Sequence, residues 1–101
     1  MVLVRTTLGS EAAARALARR LVEAGKACCV HVSGIESFYR WEGRTEEAAE
    51  WLVEARAPAP LVDALRDAML ADHPYGTPLV EVVGETTVPP AYAAWAERVT
   101  R

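Results

Sequence analysis

EEAAEWLVEAR, residues 46–56, decides which fold this chain can adopt. Alanine and glutamate are strong helix formers, so its composition points to a helix. Its pattern points elsewhere. Trp51, Val53 and Ala55 alternate with Glu50, Leu52, Glu54 and Arg56, a period close to two with Leu52 as the apolar exception. Local evidence supports both, and only the elements on either side separate them.

Working outward, VLVRTT at 2–7 is a short apolar, β-branched strand, and LGS turns the chain at 8–10. Ser10 followed by Glu11 opens a helix. Ala14, Leu17, Ala18, Leu21 and Val22 then recur at three and four residues, with Arg15, Arg19, Arg20 and Glu23 toward water, and Gly25 stops it. A strand at about 27–32 follows, interrupted by Ser33-Gly34, and ESFYRWEG continues extended to Gly43. Pro58 and Pro60 break the chain ahead of a second helix carrying Leu61, Leu65, Ala68 and Met69, which ends near Asp72. HPYGTP at 73–78 turns into a strand at about 79–84, and TTVPP leads to a last helix at 91–99. Two long helices and a β-α-β-β-α-β order require two strands between the helices. Residues 48–56 therefore read as strand. The expected fold is α+β: a single ferredoxin-like domain over 1–101 with an added C-terminal helix.

A sheet covered by helices on one face leaves the other open, and apolar residues there would draw subunits together. At 101 residues the core is modest, which also favours an oligomer. The net charge of −3, with no basic stripe, speaks against nucleic acid as a partner. No apolar run approaches membrane-spanning length. MVLVRTT lacks the apolar core of a signal peptide, so the expected location is cytoplasmic. Cys28 and Cys29 are adjacent in a strand and point to opposite faces, so they are expected as free thiols. His31 shares its face with Cys29, opposite Cys28, Val30 and Val32, in a solvent or interface role.

The chain resembles the CutA divalent-ion tolerance family from Thr7 to Val99. ALARRLVEAGKACCV matches that family's first helix and places Cys28 at its cysteine. Ser37, Tyr39, Trp41 and Gly43 match its S-x-Y-x-W-x-G segment. Glu50 matches the glutamate opening the next long strand, and Arg56 stands where a lysine is usual. His73, Pro74, Tyr75 and Pro78 match its H-P-Y-x-x-P turn, and Tyr92 and Trp95 its Tyr-x-x-Trp. The resemblance implies a ferredoxin-like homotrimer that associates with divalent metals, copper most often, in tolerance rather than catalysis. It departs at Thr6, Asp72 and Leu79, where members can carry a cysteine, a second histidine and a glutamate. Glu81, two residues beyond Leu79 on the same strand face, would partly substitute.

His73 is read two ways: as a copper or zinc ligand, or as a cap on the last carbonyls of the second helix. The metal set expected is His73 with Asp72 and Cys28, partly from another subunit, holding Cu²⁺ or another divalent cation weakly because a full structural site needs four ligands. A pocket between subunits would draw on Glu50, Arg56, His73 and Tyr75, with Arg56 pairing Glu50. Tyr39, Trp41, Tyr92 and Trp95 form an aromatic cluster by the resemblance, or simply pack a core or an interface. No activated nucleophile and no phosphate-binding loop is present, so an enzyme is not expected. The alternative to a metal-binding trimer is a PII-like regulatory trimer that senses a small molecule, which rests on analogy of fold.

Overall fold

A computed structural model describes residues 1–101. Strands β1 (Val2–Leu8), β2 (Cys29–Trp41), β3 (Arg44–Ala57) and β4 (Val80–Glu85) form one sheet in the order β2-β3-β1-β4. All three pairings are antiparallel. Helix α1 (Glu11–Glu23) connects β1 to β2, α2 (Val62–Leu70) connects β3 to β4, and α3 (Pro90–Val99) closes the chain. This is the expected β-α-β-β-α-β arrangement with its added helix.

The disputed stretch is strand, and longer than its alternation suggested. Val53, Ala55 and Ala57 are fully buried on the helix face of β3. They join Leu17 and Leu21 of α1 and Leu65 and Met69 of α2 in one core. The alanines that favour a helix locally are small side chains beneath two packed helices. Each large side chain buried there contributes about 1.5–3 kcal/mol, which outweighs a propensity of tenths of a kcal/mol per residue.

Helix α1 begins and ends on the signals in its sequence. The Ser10 hydroxyl accepts the Ala13 N–H at 3.1 Å. Past the last turn Gly25 sits at φ 72°, and the N–H groups of Gly25 and Lys26 close on the carbonyls of Val22 and Leu21. Helix α2 ends at Leu70, near Asp72 as expected, because Ala71 is already extended and Asp72 is left-handed at φ 59°.

The expected break at Ser33-Gly34 does not occur, and β2 runs unbroken to Trp41. Gly34 lies opposite Trp51, whose indole comes within 3.5 Å of where a Cβ would stand. A Cβ there would meet the ring only at ordinary contact distance, so the glycine sits within regular, paired strand and does not end it. Beyond this pair β2 and β3 run on without β1, which pairs β3 only from Trp51 to Ala57. The resulting two-stranded arm ends in a tight turn at Glu42 (φ 48°) and Gly43 (φ 77°). The Arg40 guanidinium ties the turn to the Gly43 carbonyl at 3.0 Å and the Thr45 hydroxyl at 3.1 Å. The arm stretches the molecule to 47 Å against 23 and 21 Å in the other directions.

Candidate functional site

The HPYGTP turn packs against the end of β1 through a chain of hydrogen bonds. The Thr6 hydroxyl donates its one proton to the Leu79 carbonyl at 2.6 Å. At 3.0 Å from His73 Nε2 it must therefore accept, so Nε2 carries a hydrogen. The Tyr75 backbone N–H donates to His73 Nδ1 at 3.2 Å, so that nitrogen carries none. Burial holds the imidazole below its ordinary pKa, partly opposed by a backbone hydrogen bond with Thr7. His73 is a neutral ring with both nitrogens engaged. It does not cap α2 through its ring; its backbone N–H donates to the Leu70 carbonyl instead.

Tyr75 stacks at a tilt on His73, with ring centroids 5.1 Å apart. Its hydroxyl donates to Glu50 Oε2 at 2.7 Å, across the end of β1. Gly9 eases that reach, since a Cβ there would stand 3.2 Å from the phenol oxygen and press it back by a few tenths of an ångström. Burial first, then the Glu50 hydrogen bond and charge, with a small contribution from Tyr39, push the Tyr75 phenol up to about 12. The phenol stays protonated and the carboxylate accepts. Glu50, Tyr75 and His73 thus meet within one subunit, whereas the expected pocket lay between subunits. Arg56 does not join them: six strand residues from Glu50 along β3, it lies about 20 Å away.

Arg56 belongs to the far end of the sheet, opposite Cys29. Its carbonyl accepts both the Cys28 N–H at 2.8 Å and the Cys28 thiol at 3.3 Å. Tyr92 OH lies 3.9 Å from the same sulfur, and burial with this thiol raises the phenol to about 12. Burial also raises the Cys28 thiol. Tyr92 and Trp95 stack on α3 with centroids 5.3 Å apart, while Tyr39 and Trp41 stand exposed on the arm. Within one subunit the four aromatics make two separate groups. Glu81 does not stand in for a polar residue at the turn, because it is ion-paired with Arg5 on the open face of the sheet.

Against a divalent ion, the expected set fails within one subunit. Cys28 lies at the β3 C-terminal end of the sheet and His73 at the other, Asp72 is exposed, and no three His, Cys, Asp or Glu side chains come together for an ion. His73 has no free lone pair to offer. Two functional residues escaped the sequence reading. Thr6 was visible only as a departure, although it is fully buried and holds His73. Gly9 read as a turn residue and gave no further signal.

No helix is long and apolar enough to cross a membrane. The family model of the CutA1 divalent ion tolerance protein matches residues 2–99. Protein CutA, chloroplastic, of Arabidopsis thaliana is 32% identical over 101 residues, which is 99% of this chain and 56% of that protein. The chain thus spans just over half the length of that relative. The divalent-cation tolerance protein CutA of Thermus thermophilus is 38% identical over 76 residues, 74% of each chain. The crystal structure of CutA1 from Oryza sativa superposes with a TM-score of 0.91 at 32% identity, covering 99% of this chain and 93% of that one. CutA from Archaeoglobus fulgidus, described as a periplasmic divalent cation tolerance protein, gives 0.90 at 28% identity over 97% and 96%. With the sheet order, the long β2–β3 arm and the HPYGTP turn all in place, the chain belongs to the CutA family of divalent-ion tolerance proteins.

Proposed function

We propose that this chain works as a homotrimer that binds a divalent cation, copper or a related ion, weakly and in a tolerance role, by binding rather than turnover. Relatives named for divalent-cation tolerance support the cation. One structural observation supports the assembly. Past Gly34 and Trp51 the arm is a bare two-stranded ribbon with Phe38, Tyr39 and Trp41 exposed at 66%, 45% and 53%. Isolated two-stranded hairpins are marginal in water, and exposed aromatics of this size mark an interaction surface. A neighbouring copy that receives the arm would supply the missing third strand. The free thiols of Cys28 and Cys29 suit a reducing compartment such as the cytoplasm.

Sedimentation velocity at low micromolar concentration tests the assembly: one species of three subunits is expected, and an 11.0 kDa monomer overturns it. Calorimetric titration of the metal-free protein with Cu²⁺ and Zn²⁺ tests the cation, and no heat of binding from either overturns that half. A second reading, a trimer that senses a small molecule, is favoured by the Glu50–Tyr75 pair at the base of the arm, where a carboxylate and a phenol could grip an amine or a hydroxyl. Native mass spectrometry that finds a retained organic ligand would support it.

A further inference from the structure

The helix layer holds a cavity that the HPYGTP turn closes from one side. Helix α2 has 9 residues against 13 in α1, and the chain leaves it at Ala71 and turns away through left-handed Asp72 and Pro74. The flank of α1 that carries Ala13, Ala16 and Arg20 is therefore left uncovered, and a cavity of about 360 Å³ opens between it and the turn. That is the small end of the range for small-molecule pockets. Leu17 and Met69, core side chains only 4% and 1% exposed, close its floor. The cavity lies on the helix side of the sheet and stays accessible when the open face is covered.

Two opposite charges line the cavity, and neither has a partner. The neighbouring arginines of α1 are taken: Arg15 pairs with Glu11 and Arg19 with Glu23. Arg20, beyond them, lines the cavity with no carboxylate of its own. Asp63 and Asp67 of α2 share Arg66, whereas Asp72, past the end of that helix, lines the opposite wall unpaired. The two do not pair with each other either. A gap thus separates a guanidinium from a carboxylate above a small apolar surface.

We propose that this cavity binds a small aliphatic α-amino acid, with its carboxylate on Arg20, its ammonium on Asp72 and its side chain against Ala13 and Ala16. The inference rests on the small-molecule reading, names its ligand and places it across the turn from the Glu50–Tyr75 pair. A planar guanidinium takes a carboxylate through two parallel hydrogen bonds, and a carboxylate takes an ammonium through charge-assisted ones. A ligand with a single charge leaves one wall unanswered, and a large side chain exceeds the space. His73 connects the cavity to the arm. Its neutral ring forms part of the wall, with both nitrogens held by Thr6 and the Tyr75 N–H. From the same turn Tyr75, tilted against that ring, reaches Glu50 at the base of the arm. A ligand in the cavity therefore presses on the turn that braces the arm.

The test is calorimetric titration of the whole protein with L-alanine, L-valine and L-leucine, read also by the proton NMR signals of its 2 histidines. At least one of the three is expected to bind and to move the His73 signals, while those of His31, on strand β2, stay fixed. For the tightest of them, the matching carboxylic acid without the ammonium, and the matching amine without the carboxylate, should bind at least about tenfold more weakly. Arg20→Gln and Asp72→Asn should each weaken the amino acid by the same factor. Arg20→Gln should also bind the amino acid and the amine alike, since the carboxylate has lost its partner. Both residues are exposed and unpaired, so neither substitution touches the fold, as unchanged unfolding midpoints would show. Binding that either variant leaves undiminished, or that leaves the His73 signals fixed, puts the ligand elsewhere and overturns the site. If none of the three binds at millimolar concentration the inference falls, while a different ligand retained in native mass spectrometry leaves the sensing reading standing.

Discussion

Replacing Thr6 by valine tests whether the HPYGTP turn is held by the hydroxyl or by shape. Valine fills the same space, so no cavity opens at this fully buried position and the loss is confined to hydrogen bonds. Two groups lose their partner: the Leu79 carbonyl, bonded at 2.6 Å, and His73 Nε2–H, at 3.0 Å. A polar group left unsatisfied on burial costs about 1–3 kcal/mol. His73 is only half-buried and can recover part of its share from water, which puts Thr6→Val at about 2–4 kcal/mol. Thr6→Ser is the control. It keeps both hydrogen bonds and removes one methyl group, at about 1 kcal/mol.

Urea unfolding at one fixed subunit concentration is the assay, since any assembly makes apparent stability depend on concentration. The expected order is wild type, then serine, then valine. A valine variant within about 0.5 kcal/mol of wild type, or more stable than the serine variant, would refute the reasoning. Leu79 and His73 would then be satisfied without Thr6, and the tautomer assigned to His73 would lose its basis.

The lowered pKa of His73 gives a pH dependence of fixed sign. The folded protein holds the imidazole neutral while the unfolded chain protonates it near 6.5, so this contribution is complete above that pH and is lost as pH falls through the lower folded value. His73→Gln should flatten the fall in unfolding midpoint over that acidic window, and an equally steep fall in the variant counts against it. The two thiols should separate by rate: iodoacetamide is expected to label half-buried Cys29 first, and Cys28, only 6% exposed and raised by burial, on unfolding. Peptide mass mapping that finds both labelled together in the native protein would contradict the placement of Cys28.

How much of this was legible varies with the range of the forces involved. Residues 46–56 could not be assigned from their own composition, and counting strands between helices resolved them. Gly34 was misread for a related reason. A glycine in a strand is a local signal of interruption, but here unbroken pairing with β3, opposite Trp51 seventeen positions away, carries the strand through it, and no local pattern contains that partner. The full length of the arm was hidden too, because exposed ribbon residues are under no demand to alternate. By contrast, the separation of Arg56 from Glu50 needed only the rise of an extended strand, and their pairing could have been rejected from the spacing alone.

The site shows the same division more sharply. HPYGTP was recognisable as a turn, and Glu50, Tyr75 and His73 do meet there, yet the chemistry of the meeting depends on Thr6, sixty-seven residues from His73. A thiol at position 6 would offer the imidazole a fellow ligand. A threonine offers one proton and one acceptor, gives the proton to Leu79, and so fixes His73 as a donor with its remaining nitrogen taken by Tyr75. A single side chain thereby converts a candidate ligand into a structural brace.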